Sequence, residues 1–161
     1  MSDDDDQSAR ARALASPLRM RILRICLHEA HTNKEIAAAL DLNPGSTLHH
    51  VRTLVDTGFL KAEEPRRGRR GAREVPYLAT RRSWTTRVPG ISGVLIETFL
   101  QEIAPLAPDD VQVSRLGLKL NDAHREELER RFYDLLQEYA AIPADPDGAA
   151  ISIMLAIHPE A

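Results

Sequence analysis

Ser46, His49 and Arg52 follow one another at intervals of three residues, with Thr53 beside them. On a helix such residues share one face. A hydroxyl, an imidazole and a guanidinium can hydrogen-bond to base edges in a DNA groove, and Leu48, partly on the same side, could meet a thymine methyl group. The same residue types also suit a solvated helix face, with His50 turned inward, so this helix alone does not decide. A second cluster bears on the choice. Residues 65–73 read PRRGRRGAR and hold five arginines, Arg66, Arg67, Arg69, Arg70 and Arg73, with Gly68 and Gly71 between them. Such a run repels itself unless a polyanion meets it. It suits phosphate oxygens or a minor groove, where charge supplies affinity without reading sequence.

The elements that would position these residues are legible around them. Thr32 and Glu35 have capping-box spacing for a first short helix, in which Ile36, Ala37 and Leu40 share a face. Asp41, Leu42 and Asn43 leave room only for a sharp turn. Asn43 suits an N-cap and Pro44 the first helical position. The second helix is then expected from about Pro44 to Thr57, with Thr47, Val51, Leu54 and Val55 inward and Gly58 as terminator. Two short helices so joined form a helix-turn-helix, whose second helix enters the major groove. Upstream, Ser8–Ala15 predicts a short helix. Ser16-Pro17 then opens another, with Leu18, Ile22, Ile25 and Cys26 on one face. Downstream, FLKAEE and EVPYLAT predict two strands joined through the arginine-rich tip as a hairpin, a wing.

Composition narrows the function classes. The net charge of −3 conceals a segregation. Residues 1–7 carry −4, residues 8–87 carry +9 and residues 88–161 carry −8. The basic stretch is the one that contains the helix-turn-helix, so an acidic chain still offers a nucleic-acid face. The run MSDDDDQ, residues 1–7, predicts a disordered acidic tail. The single cysteine, Cys26, excludes an internal disulfide and a multi-cysteine zinc site, and its apolar neighbours predict a buried, inert thiol. His124 and Glu127 have ligand-like spacing but stand alone. No metal and no cofactor is expected. No signal core or membrane-spanning run is present, which predicts a cytoplasmic protein. No nucleophile with a base, phosphate-cradling loop or paired-carboxylate motif is found, so no enzyme is expected.

Three phrases, ALASPLRMRILRICL, NKEIAAALDL and STLHHVRTLVDTGFL, occur in this order within residues 9–84. In this the chain resembles the bacterial ArsR-type winged helix-turn-helix regulators over about half its length. The resemblance implies a dimer that places its recognition helices in successive major grooves, with wings flanking them. It puts Ser46, Thr47, Leu48, His49, His50 and Arg52 on the recognition helix, Thr47 and His50 also suiting packing, and the arginine tip on the wing. Metal-sensing members carry paired cysteines in the helix before the turn, where this chain has EIAAAL, so the resemblance implies a member that senses no metal.

Residues 88–161 extend beyond that half. Ile91–Ala104 predicts an apolar helix with Val94, Leu95, Phe99 and Ile103 in register, the candidate dimer seam. Residues 111–120 and AAISIMLAIH predict two strands, and Asn121 caps a long helix between them with Leu128, Phe132, Leu135, Leu136 and Tyr139 as its stripe. Together they predict a small βαβ unit.

The fold class expected is α+β. A disordered acidic tail, residues 1–7, precedes a winged helix-turn-helix domain, residues 8–87. A dimerisation helix and the βαβ unit follow in residues 88–161, a region that could also bind a small-molecule effector. The expected function is sequence-specific binding of double-stranded DNA by a homodimer acting as a transcriptional repressor, without membrane attachment. The competing class is a winged-helix module that binds another protein and not specific DNA.

Overall fold

The computed structural model describes residues 3–68, 71–86 and 88–160. The chain divides into two units, residues 1–106 and 107–161. The division therefore falls after the candidate dimer helix, whereas the sequence pattern suggests a boundary at residue 87.

In the first unit, helix α1 (Asp3–Leu14) leads into α2 (Pro17–Ile25). Backbone helix thus begins within the acidic run, where a disordered tail is expected. Ser16 caps α2 by accepting from the Arg19 amide, and Pro17 occupies the first turn. The Arg19 guanidinium turns back and donates to the Ala13 and Arg12 carbonyls at 2.5 and 2.6 Å. Those are carbonyls that the end of α1 leaves without helical partners.

Helices α3 (Asn33–Ala39) and α4 (Pro44–Asp56) form the helix-turn-helix. The capping box is complete: Thr32 accepts from the Glu35 amide, and the Glu35 carboxylate accepts from the Thr32 amide at 2.7 Å. Between the helices, Asp41 adopts φ 53°, a left-handed conformation that aspartate tolerates better than most residues. The Asn33 side-chain Nδ2 donates to the Pro44 carbonyl at 2.8 Å and ties the two helix starts together. Gly58, at φ 77°, ends α4 as expected. A side chain there would be strained in that conformation and would meet the Arg82 guanidinium.

The expected hairpin forms, residues 60–62 pairing antiparallel with 76–79, and a further strand joins it. Strand β1 (His31–Thr32), β2 (Leu60–Ala62) and β5 (Pro76–Ala79) make a three-stranded antiparallel sheet in the order β1-β5-β2. His31 faces Tyr77, and Leu60 faces Ala79. A separate ribbon, β3 (Arg66–Arg67) and β4 (Arg73–Glu74), forms the wing's outer part. The Ala79 amide bonds to the Cys26 carbonyl at 2.8 Å, which fixes the sheet to the end of α2.

The core gathers where α2, α3 and α4 meet this sheet. Leu14, Ile22, Cys26, Ile36, Val51, Leu54, Phe59 and Leu60 are all buried. Burial pushes the Cys26 thiol up to about 12, partly countered by a backbone hydrogen bond at His31, so it is an inert thiol at neutral pH. Helix α5 (Ser92–Ile103) packs on α2 of its own chain.

In the second unit, Asn121 caps α6 (Asp122–Ala141) through the His124 amide, close to the expected span. The βαβ unit does not form as expected. Residues 111–120 and 149–160 are not strands; they lack the backbone hydrogen bonds that would pair them. Alternating apolar residues favour a strand, but a strand exists only where a neighbour supplies the ladder.

Candidate nucleic-acid interface

Helix α4 presents two kinds of side chain. Its buried line is Thr47, Val51 and Leu54. Thr47 is therefore a packing residue, and its hydroxyl donates to the Asn43 carbonyl at 2.9 Å. Ser46 is exposed, yet its hydroxyl makes the same bond at 2.9 Å, leaving oxygen lone pairs for an outside donor. Leu48 is half-buried. His49 and Arg52 are exposed to solvent, and Arg52 has no ion pair among the described residues. These two are the groups of α4 best placed to reach a base edge.

His50 takes a different part. Its ring is half-buried and stands edge-on to His49, with centroids 5.7 Å apart. Its Nδ1 is buried without a hydrogen-bond partner. Burial lowers its pKa from the ordinary imidazole value, and the nearby charges of Arg19 and His49 lower it further. His50 is thus the half-buried histidine of α4, with its neutral form favoured, in line with the inward reading.

The wing is anchored at its root. Arg66 pairs with Glu35 at 2.5 Å, and Lys34 pairs with Glu74 at 3.0 Å. Glu35 and Lys34 both lie on α3, so the helix that precedes the turn also holds the ribbon. Glu35 is the capping-box carboxylate, and its pKa is held down first by the Thr32 amide, with Arg66 adding to that. Sequence spacing identifies Glu35 as a cap; nothing local in the sequence shows that it also binds Arg66. The Glu74 carboxylate lies over Gly68, where a Cβ would collide with it. Gly71, at φ 76°, turns the tip, and the Gly68 amide bonds to the Ala72 carbonyl at 2.7 Å.

Beyond that root, Arg67 and Arg73 stand directly opposite each other in the ladder, both exposed. Like charges directly opposite on a two-stranded ribbon destabilise it. Arg69 and Arg70 lie outside the described residues. Of the five wing arginines, then, one is engaged by α3 and two are held side by side and free of ion pairs among the described residues.

The candidate dimer residues Val94, Leu95, Phe99 and Ile103 are half-buried, on the side of α5 that also carries buried Thr98. The exposed apolar residues of this helix are Ile96 and Leu100, one turn apart. Near Glu127 no metal site assembles: its carboxylate is held by Arg130 and Arg131, at 2.7 and 2.8 Å. Among the described residues no cluster of three metal-ligating side chains occurs. Among them, too, no helix is long and apolar enough to cross a membrane.

Residues 14–63 match a family model described as a helix-turn-helix domain, about a third of the chain. No curated protein matches. Among solved structures, HlyU of Vibrio cholerae is similar at 18% identity over 66% of this chain and 100% of its own, with a TM-score of 0.38. The homodimeric winged helix-turn-helix DNA-binding domain of Mb0332 from Mycobacterium bovis, described as a possible ArsR-family regulator, is similar at 21% identity. It covers 71% of this chain and 97% of its own, with a TM-score of 0.40. A MarR regulator from Methanosarcina mazei is similar at 14% over 85% and 88%, with a TM-score of 0.37. Likenesses this distant carry no argument about assembly. The helix-turn-helix match and the wing built on it give the chain a winged helix-turn-helix, a DNA-binding fold of transcription regulators.

Proposed function

We propose that the chain is a cytoplasmic, ArsR-like repressor that binds operator DNA as a homodimer. Helix α4 enters the major groove, His49 and Arg52 read base edges, and Ser46 and Leu48 lie at the margin of that interface. Arg67 and Arg73, with Arg69 and Arg70 between them in sequence, meet the phosphates or the minor groove. The observation that carries this reading is the opposed arginine pair on the wing. A ribbon that sets two arginines at directly opposed positions is less stable alone than on a polyanion.

A single short helix covers too few base pairs for useful specificity. Two must act together, about 34–36 Å apart on a pseudo-palindrome. The exposed pair Ile96 and Leu100 on α5 is the better seam residue set, because Val94, Leu95, Phe99 and Ile103 are turned toward their own chain. Residues 88–161 are where a small-molecule effector would act, by favouring one spacing of the two α4 helices over another; DNA affinity would shift only by that difference. The reading assigns no catalysis, metal or cofactor.

The test is salt dependence. Arg67→Gln with Arg73→Gln is expected to weaken binding to operator and random DNA alike. The log–log slope against salt should flatten by about 0.9 for each phosphate no longer neutralised. Arg66→Gln should change the slope less, since Arg66 is already paired with Glu35. An unchanged slope in a folded double variant would overturn the assignment of the wing.

A further inference from the structure

Four charged side chains meet where the wing joins α3, and they alternate in sign. Lys34 and Glu35 are neighbours on α3, and Arg66 and Glu74 are partners across the ribbon ladder. Lys34 pairs with Glu74 at 3.0 Å and Glu35 with Arg66 at 2.5 Å, so each strand of the ribbon is tied once to the same helix. The Glu35 carboxylate divides its oxygens. Oε2 accepts from the Thr32 amide, within the cap, and Oε1 takes the Arg66 guanidinium. Thr32 itself lies in β1 and pairs with β5 at Pro76. One carboxylate thus joins the start of α3, the sheet and the wing. On the other strand the Glu74 carboxylate lies over Gly68, in space that a Cβ would take. Acidic groups beside a phosphate-binding surface oppose binding unless another effect offsets their repulsion.

We propose that Glu35 and Glu74 are positioning residues for the wing: with Lys34 and Arg66 they hold the ribbon at one orientation to the helix-turn-helix, so that Arg67 and Arg73 are already arrayed when DNA arrives. This rests on the DNA-binding reading above and adds to it two residues that touch no DNA themselves. The ribbon has two residues in each strand, and one of its two ladder pairs opposes Arg67 to Arg73. Such a short two-stranded ribbon is marginal alone, so it depends on outside anchors for its orientation. A clamp of this kind reduces the conformational freedom lost on binding and leaves the number of phosphate contacts unchanged. Its signature is therefore affinity without a change in salt slope. Both ion pairs reach solvent, so the effect of each is small.

The test uses the full chain and a random-sequence DNA duplex, since the wing meets phosphates of any sequence. Glu35→Gln keeps the capping box, because a glutamine oxygen still accepts from the Thr32 amide, but it turns an NH2 group toward Arg66 and ends that ion pair. Removing an acidic charge near a polyanion by itself raises affinity. Positioning predicts the opposite sign: affinity falls by about two- to fivefold, with the thermal midpoint nearly unchanged and the salt slope unchanged. Gly68→Ala loosens the other strand's anchor without any change of charge, by displacing the Glu74 carboxylate, and should lower affinity in the same way. Glu35→Gln combined with Arg66→Gln should bind no more weakly than the weaker single variant, since both open the same pair. If Glu35→Gln binds more tightly and its slope steepens by about 0.9, Glu35 only withholds Arg66 from phosphate, and the proposal is overturned. Native affinity in both Glu35→Gln and Gly68→Ala overturns it as well. In either case the preceding function stands as long as Arg67→Gln with Arg73→Gln flattens the slope. If that double variant leaves the slope unchanged, the wing meets no phosphate and both readings fall together.

Discussion

Residues 3–106 and residues 107–160 use the same kinds of side chain in opposite ways. In the first unit, apolar residues from four helices and a small sheet converge on one core, and Phe59, Leu54 and Ile36 are hidden from solvent entirely or nearly so. In the second, leucines and isoleucines alternate just as regularly and remain exposed. Periodicity dictates which residues share a face; it does not dictate that the face has a partner within the chain. The first unit carries its partner faces in its own sequence, close together. The second carries one helix and two segments, and none of its described residues is buried.

The largest expected contrast separates the two halves directly. Phe59→Ala removes a buried aromatic ring from the first unit and should cost about 3–5 kcal/mol of stability. Leu116→Ala, at an exposed position, should leave the thermal unfolding of that unit unchanged at low protein concentration. Unfolding followed by circular dichroism at two concentrations distinguishes the cases. Equal, concentration-independent losses for both variants would mean that the second unit has a core of its own, and the contrast would collapse.

A smaller effect separates reading DNA from assembling on it. His49→Ala and Arg52→Ala should each lower preference for operator over random DNA by about 1–3 kcal/mol for each base edge left unread. Mass in solution should not change, because both side chains are exposed on α4 and touch no candidate seam. Ile96→Glu with Leu100→Glu should do the opposite, lowering mass first and operator affinity as a consequence. If His49→Ala and Arg52→Ala weaken random DNA as much as operator, these residues meet the DNA backbone instead of its bases.

Much of the first unit was legible because its signals are local. Ser16-Pro17, Thr32 with Glu35, Asn43-Pro44 and Gly58 mark element ends through backbone conformation and hydrogen bonds within a few residues, as Asn121 does in the second unit, and the structure uses each of them. Strand β1 was not legible: two residues, His31 and Thr32, have no period, and their pairing with β5 joins positions far apart in the chain. The wing's anchoring was hidden for the same reason, since Arg66 and Glu35 are 31 residues apart. The four-residue acidic run predicts repulsion, but it is continued by SARARAL, and Asp6 pairs with Arg10 one helical turn on. On α5 both faces are apolar, so the pattern identified a helix without saying which face its own chain would take. The C-terminal strands failed on the point that separates the units, the need for a neighbour.

The smallest effect concerns His50, and it belongs to the unit that has a core. Its pKa lies below the ordinary value of about 6.5 because burial disfavours the charged ring, with Arg19 and His49 adding repulsion. The unfolded chain therefore binds a proton at higher pH than the folded chain does. In the window between the lowered folded value and about 6.5, the unfolded state holds more protons, so stability must rise with pH there. Above that window the ring is neutral in both states, and below it the ring is charged in both, so the dependence is flat on either side. His50→Gln removes the titration while keeping a polar side chain. The urea midpoint of the native chain should fall, relative to that of the variant, as pH drops through this window. The difference should come from the helix-turn-helix unit, because residues 107–160 hold no buried titratable group among those described. Parallel midpoints in the two proteins at every pH would place His50 in solvent. The α4 face would then gain a third group free to meet DNA, and the division of that helix into a reading side and a packing side would have to be redrawn.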